Sequence, residues 1–108
     1  MKFKPVIKIW LEVENGYVFG EGSFKLLSKI KECGTIRGAA EDLAMSYRHA
    51  WGIVKNIERR LGKPILKTHK GGRLGGGGAE LTEEGITLVK KYSEIKKTLM
   101  EASNKFTF

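Results

Sequence analysis

Cysteine is nearly absent from this 108-residue chain: Cys33 stands alone, so an intramolecular disulfide and a cysteine-built metal cluster are both excluded. Histidine is as scarce. His49 and His69 have no His-x-Glu or Cys-x-x-Cys pattern beside them, which leaves too few ligands for a metal centre and marks no activated nucleophile. We therefore expect no metal, no cofactor and no catalysis. No apolar run approaches the ~20 residues of a membrane span, and residues 1–5 lack the apolar stretch and cleavage site of a secretory signal. The expectation is a reduced, cytoplasmic protein that does not enter a membrane. Acid is also in short supply, with 12 Asp and Glu against 20 Lys and Arg, for a net charge of +8. Such an excess favours an anionic partner. The remaining composition, 41% hydrophobic and 30% charged, is that of one small globular domain. A domain this short buries only roughly 60–70% of its unfolded surface, so a second copy could usefully extend its core.

The positive charge is concentrated. Arg59, Arg60, Lys63, Lys67, Lys70 and Arg73 lie in one stretch free of Asp and Glu, whereas charges after Glu83 nearly balance. A charge run can also be no more than a solvated surface, so its meaning depends on the elements that carry it.

Residues 6–14 alternate, with Ile7, Ile9, Leu11 and Val13 opposite Lys8, Glu12 and Glu14, the period of a half-buried strand. Asn15-Gly16 suits a two-residue type I′ turn into a return strand over Tyr17–Phe19. Trp10, on the polar face, either covers an edge or anchors an interface. Helical spacing follows from about Glu21 to Cys33, with Gly34 as C-terminal cap. Thr35 can cap a short helix from Ile36 to Leu43, in which adjacent Ala39 and Ala40 permit close helix packing. Ser46 can cap a third helix, Tyr47 to about Leu61, closed by Gly62. Lys63 to His69 reads as a strand and Ala79 to Leu81 as its return. Six of the fourteen glycines lie between them. Thr82 caps a last helix, Glu83 to about Ser103, with Glu83 and Glu84 complementing its dipole. The second and third helices, joined by a short turn, form a helix-turn-helix, and the hairpin after them is a wing. The expected fold is α+β: a winged helix-turn-helix with an N-terminal β-hairpin (1–20), a three-helix core (21–61), a wing (63–82) and a long C-terminal helix (83–103).

At about 100° per residue, Ala50, Ile53, Val54, Ile57 and Leu61 share one face of the third helix. The opposite face carries Arg48, Gly52, Lys55, Asn56 and Arg59, and Tyr47 and Trp51 lie at the boundary. An α-helix fits the major groove of duplex DNA with its N-terminal side chains at base edges. Arg48 is suited to guanine, while Lys55 and Arg59 are placed for phosphates. Ser46 and Tyr47, beside the free amides of the helix start, can donate to phosphate oxygens. Arg37, early in the second helix, can touch the backbone. His49 is a groove-edge or packing residue, and Trp51 a packing residue rather than a base contact. Gly52 either admits close approach of DNA or is merely tolerated.

The glycines of the wing do not form a phosphate-binding loop, because Ala79-Glu80 stands where a Lys-Ser or Lys-Thr pair would be needed. A glycine-rich tip bearing Lys67, His69, Lys70 and Arg73 instead suits a wing laid along phosphates or a minor groove. In the last helix, Leu88, Tyr92, Ile95, Leu99 and Ala102 recur at alternating steps of four and three, a coiled-coil seam. That seam and Trp10 are expected to meet a second copy, giving a homodimer that spans two half-sites.

Several stretches resemble a known family. They are Gly34-Thr35-Ile36-Arg37-Gly38-Ala39-Ala40, then Met45-Ser46-Tyr47-Arg48-His49-Ala50-Trp51, then Gly71-Gly72 with Gly75-Gly76-Gly77-Gly78-Ala79, and Leu81-Thr82-Glu83-Glu84-Gly85. Together they resemble the DNA-binding domain found at the N-terminus of the ModE molybdate-responsive regulators, a LysR-like winged helix-turn-helix. The resemblance implies dimeric, sequence-specific binding to double-stranded DNA. It places Ser46, Tyr47, Arg48 and the wing near DNA, and the N-terminal strands and last helix at the dimer interface. Members of that family continue into molybdate-binding domains, whereas this sequence ends at Phe108, so oxyanion sensing does not carry over. Three expectations remain: a stand-alone regulator, a separate effector-binding protein, or a fragment. The competing reading is a low-specificity architectural DNA-binding protein, followed by a winged helix that binds protein.

Overall fold

In a computed structural model, residues 1–14, 16–70 and 77–108 are described. The elements are β1 (Leu11–Val13), β2 (Gly16–Phe19), α1 (Glu21–Cys33), α2 (Ile36–Asp42), α3 (Tyr47–Leu61), β3 (Leu66–His69), β4 (Gly78–Leu81) and α4 (Glu83–Asn104). This is the α+β winged helix-turn-helix read from the sequence, with helix ends within one residue of expectation. The expected turn residue Asn15 and the wing-tip residues 71–76, Arg73 among them, lie outside the described residues.

Local chemistry explains the boundaries. Gly34 and Gly62 end α1 and α3 at φ of 78° and 71°, the left-handed conformation that glycine adopts without a Cβ clash. The hydroxyls of Thr35, Ser46 and Thr82 accept the backbone N–H of Gly38, His49 and Gly85 at 2.9, 3.0 and 3.2 Å, capping α2, α3 and α4. Between α2 and α3 the chain reverses through Ala44 at φ 55°, the one non-glycine residue with positive φ among those described.

The N-terminal strand is shorter than its alternation suggests. β2 offers a ladder only to Leu11–Val13, with a bulge between Leu11 and Glu12, and residues 6–10 have no strand partner. Phe3 and Phe108 instead exchange backbone hydrogen bonds and bring their rings to 5.7 Å. The first wing strand is likewise shortened, to Leu66–His69. Pro64 has no N–H to give a ladder, and the Ile65 N–H is taken by the Glu58 carboxylate at 2.9 Å.

One core joins the elements. Phe19, Leu26, Leu27, Ile30, Val54 and Ile65 are fully buried beneath α2, α3 and the wing, each aliphatic or aromatic side chain contributing about 1.5–3 kcal/mol of burial. Ala39, Ala40 and Ala50 are buried where α2 meets α3. The wing is tied in by backbone bonds: the Ala79 N–H donates to the Gly34 carbonyl at 2.7 Å and the Thr82 N–H to that of Ile65 at 3.0 Å. The Thr82 hydroxyl also donates to the Pro64 carbonyl at 2.8 Å. Gly85, in the first turn of α4, lies so close that a Cβ there would be 2.5 Å from the Ile65 carbonyl oxygen. Those contacts account for the Leu-Thr-x-x-Gly spacing. Tyr92 closes the other side of the core, its ring 5.5 Å from Phe19 and 4.9 Å from Phe24.

Candidate nucleic-acid interface

Helix α3 is two-faced. Ala50, Val54 and Ile57 are buried and Ile53 and Leu61 half-buried, whereas Arg48, His49, Gly52, Lys55, Asn56 and Arg59 are exposed. Among the described residues Arg37, Arg48 and Arg59 make no ion pair. Glu58, the acid of α3, is turned aside. One of its oxygens takes the Ile65 N–H and the other lies 3.4 Å from Lys55 Nζ. The outer face therefore presents Arg48 and Arg59 to solvent without an ion pair among the described residues, and Lys55 paired with Glu58.

A cleft of about 430 Å³ separates the helix pair from the wing. Thr35, Arg37, Tyr47 and Trp51 line its helical side, and Thr68, His69 and Gly78 its wing side. It gathers Arg37, Tyr47 and His69 from the candidate set. Arg59 faces elsewhere, onto a recess of about 310 Å³ shared with Tyr17, Ser23 and Asn56. Ser46 is exposed at the helix start, where its oxygen caps α3 and its hydroxyl hydrogen can still be donated. Lys67 and Lys70 are exposed on the wing. Lys67 stands across from Glu80 in the β3–β4 register, and His69 Nε2 lies 3.8 Å from the Glu80 carboxylate.

The sequence favours Trp51 as a packing residue over a base contact. The structure packs it half-buried against the core, while its ring also lines the cleft. Thr68, on the wing side of the cleft, is not among the sequence candidates. Tyr47, Trp51 and Lys55, spaced four apart, form one row of the helix. That spacing was the available signal for Trp51. Thr68 gave none, because only the wing's position brings it to α2.

The expected dimer set divides. Tyr92 is 1% exposed, with its ring inside the protomer core and its hydroxyl donating to the Glu21 carboxylate at 2.9 Å and reaching the Ile9 carbonyl at 3.0 Å. It is a core residue, not an exposed seam position. The four–three spacing is the same for a helix lying on its own domain as for one lying on a partner, so periodicity could not separate the two. Leu88 is half-buried against the core. Trp10, Ile95 and Leu99 are exposed, with Met100 beside them. The Trp10 indole N–H donates to Glu12 at 2.8 Å.

No helix is long and apolar enough to cross a membrane among the described residues. Residues 22–86 match the model of the bacterial regulatory helix-turn-helix proteins of the LysR family. The chain is 34% identical over 83 residues to the molybdenum-pterin-binding protein MopA of Rhodobacter capsulatus, covering 77% of this chain and 31% of MopA. It is 34% identical over 74 residues to the transcriptional regulator ModE of Haemophilus influenzae, covering 68% of this chain and 29% of that protein. It is also 34% identical over 77 residues to the DNA-binding transcriptional dual regulator ModE of Escherichia coli K12, covering 71% and 29%. The matched region spans about a third of the length of these relatives. Fold, two-faced helix and these likenesses agree: the chain belongs to the bacterial regulatory helix-turn-helix proteins of the LysR family, and its domain is of the ModE type.

Proposed function

We propose that this chain is a transcriptional regulator that binds a specific duplex DNA sequence as a homodimer. The observation that carries the reading is the opposition on α3: Arg48, Lys55 and Arg59 outward, Ala50, Val54 and Ile57 inward. In this reading α3 enters the major groove. Arg48, in the first turn, donates two hydrogen bonds to a guanine edge, and His49 lies at the groove wall. Ser46 and Tyr47 donate to phosphate oxygens near the helix start, and Arg37 reaches the backbone from α2. Lys55 and Arg59 neutralise phosphates further along, while Lys67, Lys70 and Arg73 carry the wing over the adjacent strand.

The uncovered second half of α4 supports the homodimer. Beyond Tyr92, Lys96 stays bound to Glu21 and Ser103 stays buried, whereas Ile95, Leu99, Met100 and Ala102 are all exposed. A second copy would bury them together with Trp10, and two-fold symmetry would then present two α3 helices to a palindromic site.

The test is selection from a pool of random duplexes, run with and without molybdate. The expected result is one enriched palindrome, and a difference between the two arms would show whether the oxyanion acts on this chain. Arg48→Ala should relax one base position by about 1–3 kcal/mol. Lys70→Ala should weaken all sequences alike and lower the salt slope by about one unit. Binding without enrichment would favour the low-specificity architectural reading, and no binding at low salt would remove DNA as the partner.

A further inference from the structure

Five side chains run in one line over the outer surface of α2 and α3. The Arg37 guanidinium lies 4.6 Å from the centre of the Tyr47 ring. Tyr47 meets Trp51 edge to face, with ring centres 6.2 Å apart. Lys55 Nζ lies 5.0 Å from the centre of the Trp51 ring. Glu58 continues the line, 3.4 Å from the same ammonium. Two aromatic rings thus stand between two cations, and the row is built into α3 by the four-residue spacing of Tyr47, Trp51 and Lys55.

A long cationic side chain loses rotamer freedom when it is fixed on a partner. A ring face beneath the charge removes part of that freedom beforehand and attracts the cation. We propose that Tyr47 and Trp51 are positioning residues. Their rings pre-set Arg37 and Lys55 as a two-point clamp on the phosphate backbone of a duplex, and Trp51 itself touches no base. This rests on the DNA-binding reading above and adds to it the device that orders its backbone contacts. Stacking of bases from a single strand would need open ring faces, whereas each ring here has a cation on a face and the other ring against it.

The experiment measures anisotropy of a fluorescein-labelled, mixed-sequence duplex at low salt, with the full chain and its variants. Lys55→Ala and Trp51→Leu should each weaken binding by about two- to fivefold. The double variant should bind no more weakly than the poorer single one. Trp51→Phe, which keeps a ring face, should restore most of the affinity. Tyr47→Leu and Arg37→Ala form a second pair with the same expected coupling. Tyr47 is exposed, so its truncation leaves the core closed even if Trp51→Leu impairs folding. If the unaltered chain binds the duplex but the losses within both pairs simply multiply, or Trp51→Phe binds as poorly as Trp51→Leu, the positioning role is overturned while the DNA reading stands. If the unaltered chain binds no duplex, both fall.

Discussion

Glu58 on α3 accepts the backbone N–H of Ile65 at 2.9 Å, binding the base of the wing to the helix whose outer face carries the cations. Its other oxygen stays beside Lys55, 3.4 Å from the ammonium, so the same carboxylate joins the wing to the edge of that face. Ile65 is fully buried, so its amide has no ready replacement in water. Glu58→Ala should therefore cost about 1–3 kcal/mol of folding stability. Glu58→Gln, which keeps an acceptor oxygen, should cost less. Urea denaturation of both variants checks the order, and equal losses would show that the amide does not depend on this acceptor.

Gly85 and the Ile65 carbonyl define a second tolerance. A Cβ at position 85 would stand 2.5 Å from that oxygen, and backbone on both sides cannot yield as a side-chain end can. Gly85→Ala should destabilise the fold by about 1–3 kcal/mol, although alanine is the better helix former. Gly52, with nothing within 4 Å of its would-be Cβ, is the internal control. Gly52→Ala should raise stability by about 1 kcal/mol. Thermal melts of the two variants should move in opposite directions.

The hydroxyl of Tyr92 lies between the Ile9 carbonyl and one oxygen of Glu21, whose other oxygen accepts from Lys96. Burial, and then the Glu21 carboxylate beside it, push the Tyr92 pKa from 10.0 up to about 12. The folded state thus holds this proton more tightly than the unfolded one. The resulting stabilisation is complete below pH of about 10 and is lost as pH rises towards about 12. Glu21 behaves oppositely. Its hydrogen bond from Lys96 lowers its pKa against the opposing effect of burial, so its contribution is present above the ordinary value of 4.5 and is lost as pH falls through the lower folded value. Urea midpoints across pH should fall at both ends. Tyr92→Phe should flatten the alkaline limb, and an unchanged limb would place the alkaline loss elsewhere.

The exposed end of α4 gives the assembly a direct test. Ile95→Glu and Leu99→Glu alter side chains that are 39% and 40% exposed in the protomer, so they should leave its stability within about 0.5 kcal/mol. In sedimentation at micromolar concentration the unaltered chain should run as a dimer and the double variant as a monomer. A monomeric unaltered chain would refute the homodimer.

Much of this was legible along the chain because it is set by near neighbours. Glycines at 34 and 62 and hydroxyls at 35, 46 and 82 act within four residues, so the starts and stops of the helices followed from local chemistry. The two faces of α3 followed from helical period alone. The break at Ala44-Met45 was legible ahead of the Ser46 cap, but its conformation was not, because a positive φ is usually signalled by glycine and here an alanine bears it. The shortened β1 was equally hidden: alternation describes a strand's faces but says nothing about how much partner strand exists to pair with it.

Amino-acid order alone established the fold class, the caps, the basic outer face and the winged arrangement, since each depends on periodicity or on contacts a few residues apart. Packing settled the rest. It sent Tyr92 into the core, turned Glu58 to the wing, set Gly85 against a backbone carbonyl, and laid Arg37 over Tyr47. Every one of those facts joins side chains or backbone from different elements, and the distance between elements is fixed only when the core closes.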